Sequence, residues 1–221
     1  MIRYFTILSM ALSCLACQNS AQSPSKAEEA TTSANLRPWK LICLGGSTTI
    51  GENLAVEQAY PAILQTILAQ QSGNEVKIVN AGISGETLAG AEKRLSWILQ
   101  QRIDALLFAL GEAPADQELT AVEASTLWQS MLTTLRHAYP DIPVYILQLP
   151  TQKIPDNTDE TWAELLATHK VQVLRPNWAQ LLQQENFDGK LQAEEQQALA
   201  EWLADKLASL PNSYYEQKQS R

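Results

Sequence analysis

The sequence predicts an α/β protein: a three-layer α/β/α sandwich built around a five-stranded parallel sheet. Five short runs are nearly continuous in Ile, Leu and Val, which is typical of strands that are buried on both faces of a parallel sheet. Stretches with helical periodicity separate these runs. Because strand and helix alternate along the chain, we expect a doubly wound sheet with helices on both faces.

The elements follow one another in a regular order. Strands are predicted at 39–44, 76–80, 103–110, 142–149 and 171–174, and helices at 57–71, 88–101, 117–138, 159–168, 176–184 and 193–209. Prolines fall at element boundaries, at Pro140, Pro143 and Pro176, where their fixed φ and missing N–H are tolerated. No internal repeat interrupts this order.

Length and charge limit the classes of function. The chain has 221 residues, of which 45% are hydrophobic, enough for one domain with a core and short extensions. The net charge is −8, and no cluster of Lys and Arg stands out, so we predict no nucleic-acid partner. We place the domain at 38–210 and expect a frayed polar tail at 211–221.

The first residues predict export. Residues 1–17 contain an early arginine and then an apolar stretch too short to span a bilayer. They end in Cys14-Leu15-Ala16-Cys17, which resembles the bacterial lipobox, whose cysteine is lipidated. Cys17 is the predicted lipidation site, with Cys14 and an ordinary cleaved signal as alternatives. Residues 18–37 are polar and predict a disordered tether.

This leader predicts a lipid-anchored protein of the cell envelope. Gln18 follows Cys17 in place of the aspartate associated with inner-membrane retention, so we expect the outer membrane, with the domain facing the periplasm. Cys43 lies in an apolar run outside the leader, and we expect a buried, reduced thiol. His137 and His169 lie far apart without ligand spacing, so no metal site or cofactor is predicted.

Function in such a sheet collects where strands end and loops lead into helices. The first of these loops reads Gly-Gly-Ser-Thr-Thr at 45–49. Its serine, Ser47, is a candidate nucleophile, although a helix-capping serine gives the same pattern. Thr49 stands where the second glycine of a G-x-S-x-G elbow belongs, and the loop lacks the lysine of a P-loop.

Two segments resemble the SGNH (GDSL-type) hydrolases. Residues 41–51 resemble their first block, whose pattern is Gly-Asp-Ser, with Gly46 in place of the aspartate. Residues 78–87, Ile-Val-Asn-Ala-Gly-Ile-Ser-Gly-Glu-Thr, resemble the second block closely. The likeness runs in matching order over 39–209, and arylesterases and the lysophospholipase/thioesterase of bacterial periplasms look most similar. It implies a flavodoxin-like SGNH hydrolase fold.

The resemblance implies roles for single residues. Ser47 falls on the nucleophile, and the backbone N–H groups of Ser47 and Gly85 fall on the oxyanion hole. Asp188 falls on the carboxylate that orients the catalytic histidine. The third block, Gly-x-Asn-Asp, reads Gly-Glu-Ala-Pro here, so Ala113 stands at the oxyanion-hole asparagine. The last block, Asp-x-x-His, places Leu191 at the general base.

These replacements predict weak catalysis. A serine hydroxyl is a poor nucleophile until a base takes its proton, and losing a triad base costs on the order of 10⁶ in turnover. Losing one oxyanion donor costs roughly 10²–10³. Lys190, Glu52 and Glu112 are candidate replacement bases, although solvated loop charges have the same pattern. Both histidines are predicted at the opposite end of the sheet.

Three hypotheses follow. The leading one is a catalytically impaired SGNH-type lipoprotein whose cleft binds an acyl chain, a glycan or a partner protein. The second is an active but atypical ester hydrolase, in which Lys190 or a loop carboxylate activates Ser47. The third is a structural envelope lipoprotein whose domain docks onto a partner protein.

Overall fold

Five parallel strands form the centre of the domain, in a computed structural model that describes residues 37–152, 160–184, 187 and 189–220. The strands are β1 (Trp39–Gly45), β2 (Val76–Gly82), β3 (Ala105–Ala109), β4 (Val144–Leu147) and β5 (Val171–Leu174). Their order in the sheet is β2-β1-β3-β4-β5. The predicted fold class is therefore confirmed. The leader at 1–17 with Cys14 and Cys17, nearly all of the tether, and Asp188 lie outside the described residues.

Helices connect the strands. They are α1 (Ser47–Ile50), α2 (Tyr60–Ser72), α3 (Leu88–Ile98), α4 (Pro114–Gln117), α5 (Ala121–Ala138), α6 (Glu160–Thr168), α7 (Trp178–Leu181), α8 (Ala193–Leu207) and α9 (Ser209–Gln219), with a one-turn 3₁₀ helix at Val56–Gln58. None of those in the described part of the chain is both long and apolar enough to cross a bilayer.

The strand order places three loops side by side. The chain leaves β1, forms β2 on one side of it, and then crosses to form β3 on the other side. Gly45, the last residue of β1, pairs with Gly82 of β2 and Ala109 of β3. Such a switch in strand order opens a crevice at the carboxyl ends of the strands, which is where α/β proteins bind their ligands.

The core lies on both faces of the sheet. On one face, Phe108 packs edge-to-face on Trp128 with ring centroids 5.5 Å apart, and Trp128 packs on Trp162. Such pairs add stability beyond the apolar area that they bury. Cys43 is a free, buried thiol, as predicted, and burial raises its pKa to about 12.

Two predicted helices differ most from those observed. The helix predicted at 117–138 begins only at Ala121, as α5, because Thr120 and Glu123 form a capping box there. The helix predicted at 176–184 is only the single turn of α7.

The expected frayed tail at 211–221 is instead largely helical, as α9. The helix is held because the buried Tyr215 donates its hydroxyl to the Glu75 carbonyl oxygen at 2.7 Å.

Candidate active site

Ser47 is the first residue of α1, just beyond the carboxyl end of β1, and its side chain is half-buried. The backbone N–H of Gly85, in the loop after β2, donates to Ser47 Oγ at 3.2 Å. Gly85 has φ +70°, a left-handed conformation that favours glycine. The structure thus brings together two residues that the sequence assigned to one site, although they are 38 positions apart.

A carboxylate, Glu52, lies close enough to Ser47 to interact with its hydroxyl. This interaction is the main cause that lowers the pKa of Glu52, and the hydrogen bond from Lys190 adds to it. Lys190 Nζ is 3.2 Å from Glu52 Oε1. Of the groups proposed as a replacement base, Glu52 is therefore the one at the hydroxyl, and Lys190 reaches the site through this ion pair.

A second carboxylate, Glu112, lies on the other side of the turn. The backbone N–H of Thr48 donates to Oε1 at 2.9 Å, and the Thr48 hydroxyl donates to Oε2 at 2.6 Å. Burial raises the pKa of Glu112, while hydrogen bonds from Thr48 and, more weakly, from the Ser47 amide oppose that shift. Glu112 is therefore a bound carboxylate of the turn and not a solvated loop charge.

The two positions where the resemblance implies replaced catalytic groups hold buried apolar side chains. Ala113 and Leu191 are each 3% exposed. Neither side chain carries an atom that accepts a proton or donates a hydrogen bond. At these two positions the chain therefore supplies neither a side-chain amide nor an imidazole.

Neither histidine of the chain lies near Ser47. The chain contains two histidines, and both are described. His137 lies in the last turn of α5, which leads into β4, and His169 follows α6 just before β5. Because the strands are parallel, both histidines lie at the amino ends of the strands, whereas Ser47 lies at the carboxyl ends, as predicted. Burial, assisted by Arg136, lowers the pKa of His169.

Gln196 of α8 forms hydrogen bonds that link the Ser47 turn to α2. Its Oε1 accepts the backbone N–H of Tyr60 at 2.8 Å, and its Nε2 donates to the Thr48 carbonyl oxygen at 3.0 Å. The Tyr60 hydroxyl lies 3.2 Å from Thr49 Oγ1. Sequence reasoning missed Gln196, because a glutamine in a helix with several polar neighbours gives no signal of burial.

The charged side chains near Ser47 are few. In the described part of the chain, no group of three or more His, Cys, Asp and Glu side chains is arranged to hold a metal. The charges identified at the turn are the carboxylates of Glu52 and Glu112 and the ammonium of Lys190. The arrangement presents one alcohol, one backbone donor and an excess of negative charge.

Comparison with known proteins gives one sequence relative of interest. An arylesterase from Vibrio mimicus is 34% identical over 73 residues, which is 33% of this chain and 36% of that protein. The match thus spans about a third of each protein.

Solved structures share the fold over a greater length. TesA matches with a TM-score of 0.63 at 22% identity, covering 77% of this chain and 99% of that one. AlinE4, an SGNH-hydrolase family esterase, matches with a TM-score of 0.55 at 20% identity, covering 78% and 96%. The family model of the GDSL-like lipases and acylhydrolases matches residues 43–207. With most of the domain matched and the Ser47–Gly85 pair in place, the chain belongs to the GDSL-like lipase/acylhydrolase family, that is, to the SGNH hydrolases.

Proposed function

We propose that this protein is a catalytically impaired member of its family, whose Ser47 cleft binds a neutral acyl ester and hydrolyses it slowly or not at all. The observation that carries the proposal is the group at the Ser47 hydroxyl. It is Glu52, a carboxylate of lowered pKa paired with Lys190. A general base works best when its pKa lies near the working pH, so Glu52 is a much weaker base than an imidazole.

The surface around Ser47 supports an acyl ligand. Ile50, at the end of α1, is 40% exposed, and Ile83, in the loop that carries Gly85, is 47% exposed. The Ile83 N–H donates to the Gly45 carbonyl oxygen, so this loop lies against the Ser47 turn. Apolar side chains beside a backbone donor suit a molecule with a hydrocarbon part and a carbonyl group.

Ester hydrolysis tests the impairment. Purified domain and Ser47→Ala are compared on p-nitrophenyl acetate and butyrate, and we expect the two rates to lie close together. Binding is measured separately, by calorimetry with an aliphatic ester, and we expect saturable binding that a polar residue at position 83 weakens (Ile83→Asn). Exposed Val122, on α5, gives the matched control Val122→Asn. Fast turnover that depends on Ser47, or no ester binding, would contradict the proposal.

A second candidate function is slow ester hydrolysis with Glu52 as the base, and the contact between Ser47 and Glu52 favours it. In this reaction Ser47 Oγ bonds to the acyl carbon as its proton passes to Glu52. The proton then goes to the departing alkoxide, and water releases the acyl group by the same route. Because the pKa of Glu52 is lowered, kcat/KM would stay constant from about pH 5 to about pH 8. Glu52→Gln would abolish it.

We also propose that the domain is carried on the envelope by a lipid on Cys17, with the outer membrane as its location. The supporting observation is the sequence at 14–17 together with the polar stretch that follows it. The third hypothesis, a structural envelope lipoprotein, predicts a partner protein. In that case a co-purifying protein would bind equally well to the Ser47→Ala variant.

A further inference from the structure

Glu112 makes an unusual contact for a family that binds a negatively charged intermediate at its serine. The residue belongs to the loop after β3, the loop in which Ala113 replaces the expected asparagine donor. Its carboxylate reaches the turn of β1 and receives the Thr48 N–H at 2.9 Å and the Thr48 hydroxyl at 2.6 Å. The loop after β3 thus has no asparagine donor at position 113, and it places the carboxylate acceptor of Glu112 at the turn that carries Ser47.

Gly46 is what gives this carboxylate room. A Cβ at position 46 would lie 2.5 Å from Glu112 Oε1, closer than side chains approach. The related pattern has an aspartate between the glycine and the serine, and an aspartate side chain here would meet the Glu112 carboxylate. The glycine at 46 and the glutamate at 112 are therefore coupled: the second fits only because the first has no side chain.

We propose that Glu112 is an internal anion at the Thr48 amide, beside Ser47, where it disfavours any oxyanion that forms on a ligand attached to Ser47. The proposal rests on the proposed function, because it concerns the same cleft. When Ser47 attacks a carbonyl, the oxygen becomes negative and needs N–H groups aimed at it. Here the turn holds a negative group before the ligand arrives.

Two features of the contact support this role over a purely structural one. Burial raises the pKa of Glu112, so its ionised form is already disfavoured in the fold. Glu52 stands at the Ser47 hydroxyl, and its charge adds to that shift. The charge of Glu112 is met by two neutral donors of Thr48, and the cation at the turn, Lys190, is paired with Glu52.

A boronic acid measures the effect directly. Phenylboronic acid forms a boron–oxygen bond with a serine Oγ as the hydroxyl proton leaves to solvent, and the boron becomes a tetrahedral anion. We expect Glu112→Gln, which removes the charge and keeps the shape, to bind it at least about tenfold more tightly than wild type at neutral pH. Ser47→Ala is the blank. Glu118→Gln, at an exposed glutamate ending α4, is the matched control and should bind like wild type.

A second variant displaces the Glu112 carboxylate by changing the residue next to it, Gly46. Gly46→Ala puts a methyl group 2.5 Å from Glu112 Oε1, so the carboxylate must shift away, and the variant should also tighten binding. Circular dichroism and thermal melting establish that each variant is folded.

The advantage of Glu112→Gln over wild type should shrink as the pH is lowered through the raised pKa of Glu112, because protonation discharges the wild-type side chain. A purely structural role would leave the difference independent of pH. Folded Glu112→Gln that binds no more tightly than wild type overturns the role of Glu112. That result leaves the proposed function standing, since wild-type ester binding and turnover decide it separately.

Discussion

Replacing Gln196 tests whether α8 fixes the turn that carries Ser47. The side chain is 1% exposed and bridges the Tyr60 N–H, at 2.8 Å, and the Thr48 carbonyl oxygen, at 3.0 Å. The Tyr60 N–H belongs to the first turn of α2, so no carbonyl of its own helix can satisfy it. Gln196→Leu keeps the approximate volume and removes both hydrogen bonds.

The expected loss follows from these two contacts. Each buried backbone group left without a partner costs about 1–3 kcal/mol, so the two together cost about 4 kcal/mol. The more apolar leucine side chain offsets about 1 kcal/mol of this. We therefore expect the free energy of unfolding to fall by about 3 kcal/mol, a large part of the total of about 5–15 kcal/mol for a domain.

Urea unfolding at neutral pH measures this loss. The matched control is Gln197→Leu, since Gln197 is exposed and its Nε2 donates only to Glu201 on the same face of α8. The control should change the unfolding free energy by about 0.5 kcal/mol or less. If Gln196→Leu changes it equally little, water or a local shift satisfies the freed groups, and the reasoning that assigns α8 this supporting role is wrong.

Three further predictions concern catalysis, pH and anchoring. Leu191→His with Ala113→Asn should raise p-nitrophenyl acetate hydrolysis by about 10²-fold or more, and adding Glu112→Gln should raise it again; no gain would mean a remodelled cleft. The folded pKa of Glu112 is raised, so its charge costs stability above that pKa. Wild type should therefore gain unfolding free energy relative to Glu112→Gln between about pH 7 and about pH 4.5, and a constant difference in urea unfolding would contradict this. Cys17→Ser should abolish palmitate labelling and membrane fractionation, whereas Cys14→Ser should not; the reverse would move the lipid to Cys14.

The fold was predictable because the pattern of apolar residues within short segments of the sequence largely determines it. Five apolar runs and the helical stretches between them already require a parallel sheet, and the observed strands lie within a few residues of those predicted. The exceptions have local causes too. Thr120 and Glu123 are a capping-box pattern that the sequence displays, and it explains the start of α5. Helix α9 depends on the packing of Tyr215, which polar neighbours conceal.

The candidate site was predictable only in part. Ser47 and Gly85 lie at the ends of adjacent strands, so the topology alone brings them near each other. The roles of Glu112 and Gln196 depend on contacts with Thr48 across 64 and 148 residues. The orientation of a polar side chain toward a residue so far away in sequence depends on the packing of several elements. A glutamate that binds a backbone amide therefore has the same sequence pattern as a glutamate exposed to water.

If the proposed function holds, the two carboxylates, Glu52 and Glu112, decide which state of a ligand the cleft favours. A bound ester is neutral, and its hydrocarbon part can contact the exposed Ile50 and Ile83 without meeting the charge. Attack by Ser47 would place a negative oxygen, and later a carboxylate product, beside Glu52 and Glu112. Catalysis requires stronger interactions in the transition state than in the ground state, and this charge distribution supplies the opposite. On the function proposed above, Leu191 at the histidine position and Glu112 at the Ser47 turn therefore act in the same direction, toward holding an ester and away from cleaving it.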